Sequence, residues 1–240
     1  MLQFINTKNQ IMKQTFSFLF IIIFLTTFIK AQDCSDYFAF KDGIQLEITN
    51  YTAKDKVEGK SIMKVKSAQA SEATMSMTYY DKKDKIVFEN FDVNLTCEAR
   101  AVSIDRASFM NAFTSMTGVE GVEIDVDGEF LEFPADMKVG DKLKDAVSSV
   151  TTNISGISMT INTKFINRKV QSKESITVPA GTFECFKISY DVSTKNTLMT
   201  MTMSFEEWYA PQVGLPVKTI IYKKNGKLDS YSLLTKLTGI

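Results

Sequence analysis

The 240-residue chain contains no histidine, and that absence excludes more chemistry than any residue present supplies. Imidazole is the usual general base near neutral pH and the commonest metal ligand. Ser-His and Cys-His nucleophilic pairs are therefore excluded, and so is every His-ligated metal site. Proline is scarce, at 4 residues, as are cysteine, at 3, and tryptophan, at 1. Collagenous, Pro-rich and disulfide-dense scaffolds are thereby ruled out. No sign of charge dominates, since 28 basic residues face 28 acidic ones. A hydrophobic share of 44% is that of a globular chain and too high for a disordered one.

One long apolar run is present. Phe16 to Ile29 contains only Phe, Ile, Leu, Ser and Thr. It falls short of the roughly 20 residues that span a bilayer, but it matches the apolar centre of a secretory signal peptide. Lys8 and Lys13 form its basic flank, and Ile29-Lys30-Ala31 fits cleavage near Ala31. Translation starts at Met1 or Met12. Residues 1–31 thus read as a signal peptide and 32–240 as an extracytoplasmic chain, periplasmic or secreted. Gln32-Asp33 precede Cys34, where lipidation needs a small residue, so no lipid anchor is expected. No second long apolar segment follows, and no transmembrane anchor is expected in the mature chain. Lys8, Lys13 and Lys30 lie in the leader and no acid does, so 25 basic residues face 28 acidic ones in 32–240, a net −3. That balance argues against a nucleic-acid partner and against a polybasic membrane anchor.

Period-2 alternation dominates the rest. Met199, Met201, Met203 and Phe205 alternate with Thr200, Thr202 and Ser204; Phe186, Ile188, Tyr190 and Val192 alternate with Lys187, Ser189 and Asp191. Ile44, Leu46 and Ile48, and Ile157, Met159 and Ile161, repeat the pattern. Successive side chains of a strand point to opposite faces, so these are half-buried antiparallel strands. About a dozen such runs at short spacing predict a mainly all-β protein in one domain. The expected architecture is a single large curved antiparallel sheet, barrel or half-barrel like. Three segments share one spacing of Tyr, four polar residues, Lys and an aliphatic: Tyr51–Val57, Tyr80–Ile86 and Tyr222–Leu228. They read as hairpins with charged tips, and Asn225-Gly226 predicts a type I′ turn in the third. One short amphipathic helix is expected over Asp105–Thr117. Phe109, Phe113 and Met116 recur there at helical spacing, as a lid over an opening or face of the sheet.

Several motifs now fall in one order. They are Cys34-Ser-Asp-Tyr-Phe, Cys97, Phe133-Pro134, Val139-Gly-Asp-Lys-Leu143, Ile176-Thr-Val-Pro-Ala-Gly-Thr-Phe-Glu-Cys185 and Glu207-Trp-Tyr-Ala-Pro-Gln-Val-Gly-Leu215. Together they resemble the TapB-like family of secreted and envelope proteins, common in Bacteroidota, over roughly Cys34 to Leu237. Pro216 departs from that pattern and unsettles the start of its strand, because proline cannot donate to a ladder. The resemblance implies an extracytoplasmic antiparallel β-domain and supplies no activity, cofactor or catalytic residue.

Candidate sites follow from residue chemistry. Three cysteines permit one internal disulfide at most. Cys34 with Cys97 is favoured, because Cys97 continues the apolar face of Val93 and Leu95; Cys34 with Cys185 is the alternative. Cys185 shares its face with Lys187 and Ser189, which predicts a partly exposed thiol. Glu123, Asp125, Asp127 and Glu129 lack the twelfth-position Glu of a calcium loop and read as a solvated strand face. Met75, Met77, Met159, Met199, Met201, Met203 and Phe205 read as inward residues, either plain core or the lining of an apolar ligand site. A Cu(I) site on the thioethers is the less favoured reading. Adjacent strand residues diverge, so Glu206 and Glu207 cannot act on one bond as glycosidase carboxylates. Trp208 reads as packing rather than as a sugar platform. The sequence thus points to a non-catalytic envelope β-domain without cofactor or metal, binding a lipid-like ligand or an envelope protein.

Overall fold

The structure, a computed structural model, describes residues 40–69, 71–98, 101–104, 123–128, 131–154, 157–196 and 199–239. Chain contacts separate Met1–Asp33 from Cys34–Ile240, and the described residues all belong to the second unit. The expected helix with Phe109, Phe113 and Met116 lies outside them.

The alternating runs form strands. In chain order these are β1 (Gln45–Thr52), β2 (Val57–Ala68), β3 (Glu72–Asp81), β4 (Ile86–Glu98), β5 (Ala101–Ile104), β6 (Glu123–Gly128) and β7 (Phe133–Pro134). They continue as β8 (Ala146–Ile154), β9 (Ile157–Val178), β10 (Gly181–Lys195), β11 (Thr200–Ala210), β12 (Leu215–Lys223) and β13 (Leu228–Thr238). All belong to one 13-stranded antiparallel sheet, ordered β6-β8-β9-β10-β11-β12-β13-β1-β2-β3-β4-β5-β7. Most neighbours are hairpin partners, as short loops between half-buried strands dictate. The acidic stripe supplies β6, an edge strand, where charge discourages pairing with another chain.

The sheet is all-β and unclosed, but strongly curled. The Ala180 N–H, in the β9–β10 turn, donates to the Leu234 carbonyl of β13 at 3.2 Å, although three strands separate β9 from β13 in the ladder. The main core fills the curl. Leu46, Val65, Met75, Leu95, Phe183, Cys185, Trp208, Val217 and Leu234 belong to it, so strands from both halves of the sheet bury side chains together.

Pro216 does not displace its strand. It pairs with Tyr209 beside a bulge, which leaves Val217 as the extra residue, and a bulge is where a sheet tolerates proline. Gly214, just before it, has φ +75°, and an added Cβ would sit 3.0 Å from the Phe40 ring.

The three hairpins with one spacing share one geometry. In each, the residue after Tyr donates to the carbonyl of the tip Lys: Thr52 to Lys56, Asp81 to Lys85, Lys223 to Lys227. A second bond closes a four-residue turn, from Asp55 to Thr52, Asp84 to Asp81 and Gly226 to Lys223. Asp55, Asp84 and Gly226 carry positive φ, at 60°, 58° and 76°. Asn225 does not, so the expected type I′ turn is corrected. A type I′ turn needs two residues with positive φ, whereas here a single left-handed residue completes each loop.

Candidate functional site

The outer face of β9–β11 carries a second, smaller core. The unbroken β10–β11 register pairs Phe186 with Tyr209, Ile188 with Glu207 and Tyr190 with Phe205, so these six side chains share one face. Residues 131–139 run over that face as a strap, and residues 140–145 continue it along the edge of β9, where Lys142 bridges Lys169 antiparallel. Gly140 donates to Val170 O, Leu143 to Arg168 O and Val170 to Asp141 O, each at 2.9 Å. Met137, Leu143, Val170, Ile188, Tyr190, Val192 and Tyr209 are buried beneath or within it. Phe133, at the start of the strap, stacks on Tyr209 with ring centroids 4.9 Å apart, and Tyr190 stacks on Phe205 at 5.2 Å.

An ionisable cluster lies inside this apolar layer. A bulge in β9 at Asn167, where φ is 60°, precedes Arg168. Arg168 is 2% exposed. Its Nη1 donates to Lys144 O at 2.7 Å and its Nη2 to Glu132 O at 2.8 Å, so the guanidinium pins the strap at both ends. Its Cζ also lies 5.6 Å from the centre of the Phe133 ring. The Tyr190 hydroxyl donates to the Glu207 carboxylate. Arg168 Nε and Glu207 Oε2 are withdrawn from water without a hydrogen-bond partner. Burial raises Glu207 to about 7, against the pull of the Tyr190 hydroxyl and the Arg168 charge. Burial likewise pushes the Tyr190 phenol up, helped by Glu207, and lowers Arg168. Neutral carboxyl beside buried cation is the arrangement that desolvation favours here. Beside the strap, an open cleft of about 470 Å³ is lined by Lys142, Leu143, Asp145, Asn167, Arg168 and Lys169.

Glu206 points to the opposite face, as strand geometry requires. It forms a 2.7 Å ion pair with Lys187 and accepts from the Tyr222 hydroxyl at 3.1 Å. Trp208 lies on that face at 6% exposure. Its Nε1 donates to Glu174 at 2.9 Å, and Lys187 and Lys218 approach its ring at 4.9 and 4.5 Å. The indole is covered, so it offers no platform for a sugar.

The remaining expected site residues are scattered. Met75 is buried in the main core, and Met77, Met203 and Phe205 are half-buried. Met159, Met199 and Met201 are exposed, at 42%, 62% and 47%, which corrects their reading as inward residues. Period-2 patterning assigns residues to a face, but these three sit toward strand ends. Cys97 is buried and is not a free thiol; Cys34 lies outside the described residues. Cys185 is free and fully buried, its thiol pushed up to about 12 by burial, and the expectation of exposure is corrected. The main core covers its side of β10, and the strap covers the other. No group of three or more His, Cys, Asp or Glu residues fit to hold a metal ion occurs among the described residues. No helix among them is long and apolar enough to cross a membrane.

Sequence reasoning missed the Arg168–Glu207–Tyr190 cluster. Its signal was the departure from alternation: Glu207 interrupts the apolar face of Met203, Phe205 and Tyr209.

The chain is similar in fold to two solved bacterial proteins. One, from Bacteroides fragilis, is described as exported with a YmcC-like fold; it is 22% identical over 85% of this chain and 99% of its own, with a TM-score of 0.65. The other, from Parabacteroides distasonis, is described as a lipoprotein; it is 25% identical over 86% of this chain and 100% of its own, with a TM-score of 0.67. No curated protein matches the chain. A family profile matches residues 41–234, the span that contains the curled sheet, the strap and the buried cluster: the chain belongs to the DUF3108-like family.

Proposed function

We propose that the chain is an exported, non-catalytic β-domain that binds a lipid-like ligand or a protein of the envelope. Export fits the Phe16–Ile29 leader and the descriptions of the two fold relatives. The TapB-like resemblance, carried by Ile176–Cys185 and Glu207–Leu215, points the same way. The observation that carries the binding reading is the exposure of Met159, Met199 and Met201. Thioether side chains are flexible and polarisable, and they suit surfaces that adapt to apolar partners. The Glu207 cluster is the arrangement that favours an enzyme, since raised carboxyls mark active sites. Its Oε2 is withdrawn from solvent, which supports reading the cluster as structural.

Native mass spectrometry of the purified protein mixed with envelope lipid extract tests this. Lipid-sized adducts are expected, and Met199→Ser with Met201→Ser should weaken them several-fold. A bare protein mass in every spectrum removes the ligand and leaves the protein partner. Copper-sized adducts instead would favour thioether coordination.

The same proposal places a disulfide between Cys34 and Cys97 in an oxidising compartment, with Cys185 remaining a thiol. Intact mass of secreted protein after alkylation without reduction should show one labelled cysteine, and then only after unfolding, because Cys185 is buried. Three labels would overturn the pairing.

A further inference from the structure

The three similar hairpins are not scattered over the molecule. β12–β13, β1–β2 and β3–β4 are consecutive in the sheet, and the register carries their tips to one end. Ile221 pairs with Ser230, Thr52 with Ser230, Tyr51 with Val57, Gly59 with Asp81 and Tyr80 with Ile86. Six strands at about 4.8 Å spacing make a rim roughly 24 Å long. Contacts between neighbours fix it sideways. Tyr51 stacks on Tyr231 at 4.9 Å, Ala53 N–H donates to Asp229 O, and Lys60 pairs with Asp84 at 2.7 Å.

Two properties recur at each tip. The first is charge. Residues 52–57, 81–86 and 223–228 hold eight lysines against three aspartates, so the rim is +5 and the rest of 32–240 is −8. The aspartates are committed internally: Asp55 accepts from the Tyr231 hydroxyl, Asp81 from the Lys83 and Lys85 backbone, and Asp84 pairs with Lys60. Lys223 pairs with Asp229. No ion pair among the described residues engages Lys54 and Lys56, Lys82, Lys83 and Lys85, or Lys224 and Lys227. The second is an aliphatic side chain held in water directly after the last tip lysine: Val57 at 47%, Ile86 at 45% and Leu228 at 38% exposure.

From this juxtaposition we infer that the hairpin rim is a docking surface for an anionic lipid bilayer, its lysines meeting headgroup phosphates and Val57, Ile86 and Leu228 entering the interface. Charge complementarity selects an anionic partner. The exposed aliphatic at every tip selects a bilayer over an acidic protein or a soluble polyanion, because lipid alone offers an apolar layer directly beneath the charge. The chain-wide net charge of −3 conceals the surface, since acids elsewhere balance it. The methionines of the ligand reading begin at the same end of the sheet, since Met203 pairs with Lys223, but none is a tip residue, so the inference stands or falls without them.

Vesicle co-sedimentation tests it. The purified protein should bind vesicles of phosphatidylcholine with roughly one third phosphatidylglycerol, ignore pure phosphatidylcholine, and release as salt rises from about 0.05 to 0.5 M. Each surface lysine contributes about fivefold, so Lys54→Gln, Lys83→Gln and Lys224→Gln together should weaken binding on the order of a hundredfold. Val57→Ser, Ile86→Ser and Leu228→Ser together should leave a weaker, fully salt-reversible adsorption. Unchanged far-ultraviolet circular dichroism certifies both triple variants. Absence of binding to the anionic vesicles at low salt overturns the inference, as does a lysine triple variant that binds like the parent. Equal binding of the serine variant, or complete displacement by soluble polyglutamate, would assign the rim to an acidic protein instead.

Discussion

Between pH 4.5 and pH 8 the folded protein is expected to lose about 3 kcal/mol of stability through one carboxyl, Glu207. In the unfolded chain this group releases its proton near the ordinary value of 4.5, whereas in the fold it holds on to about 7. Between those values the folded state binds more protons than the unfolded one, so stability falls as pH rises. Below 4.5 both states are protonated and the contribution is fully present; above 7 it is lost. The chain has no histidine, so few other side chains titrate in the upper half of that window. Urea unfolding at a series of pH values reads the effect. Glu207→Gln keeps shape and neutrality, and it should match the parent at pH 4.5 while exceeding it by about 3 kcal/mol at pH 8. A parent-minus-variant difference that stays flat across the series would mean that Glu207 is ionised in the fold, with Arg168 as its partner.

Trp208→Ala is expected to cost about 4 kcal/mol, the upper range for large-to-small changes in a core. The indole is 6% exposed and belongs to the main core. Its removal also leaves Glu174 without the Nε1 donor and takes the ring from under Lys187 and Lys218. Trp208→Phe retains most of the volume and loses the donor, so about 1–2 kcal/mol is expected. Circular dichroism must follow the unfolding, because the variants lack the only tryptophan. A cost below about 1 kcal/mol for the alanine variant would show that the ring is not a packing anchor.

Strands were legible because their physics is local. The alternation of Phe186, Ile188, Tyr190 and Val192 depends only on backbone pleating, and it placed Glu206 and Glu207 on opposite faces correctly. Burial was less legible, because it depends on what covers a face. Lys187 and Ser189 marked their side of β10 as polar, yet Cys185 on that side is buried by β-strands distant in sequence. Met199 and Met201 look like core by pattern, yet lie exposed near a strand end. The burial of Arg168 near Glu207 depends on a strap that joins β7 to β8 and returns across three strands, which no period in the sequence announces. The hairpin repeat was visible from its lysines, but not that three tips would line up, since that follows from β13 meeting β1.

That last pairing also governs how the molecule can come into being. Gln45 pairs with Thr238 and Thr52 with Ser230, so the earliest strand finds one of its two neighbours only in the latest. Contacts so distant along the chain slow folding. A polypeptide threaded outward from its N-terminus would keep β1 with an open flank until its final residues emerged. The seam between the two ends is therefore the last part of the sheet that can close.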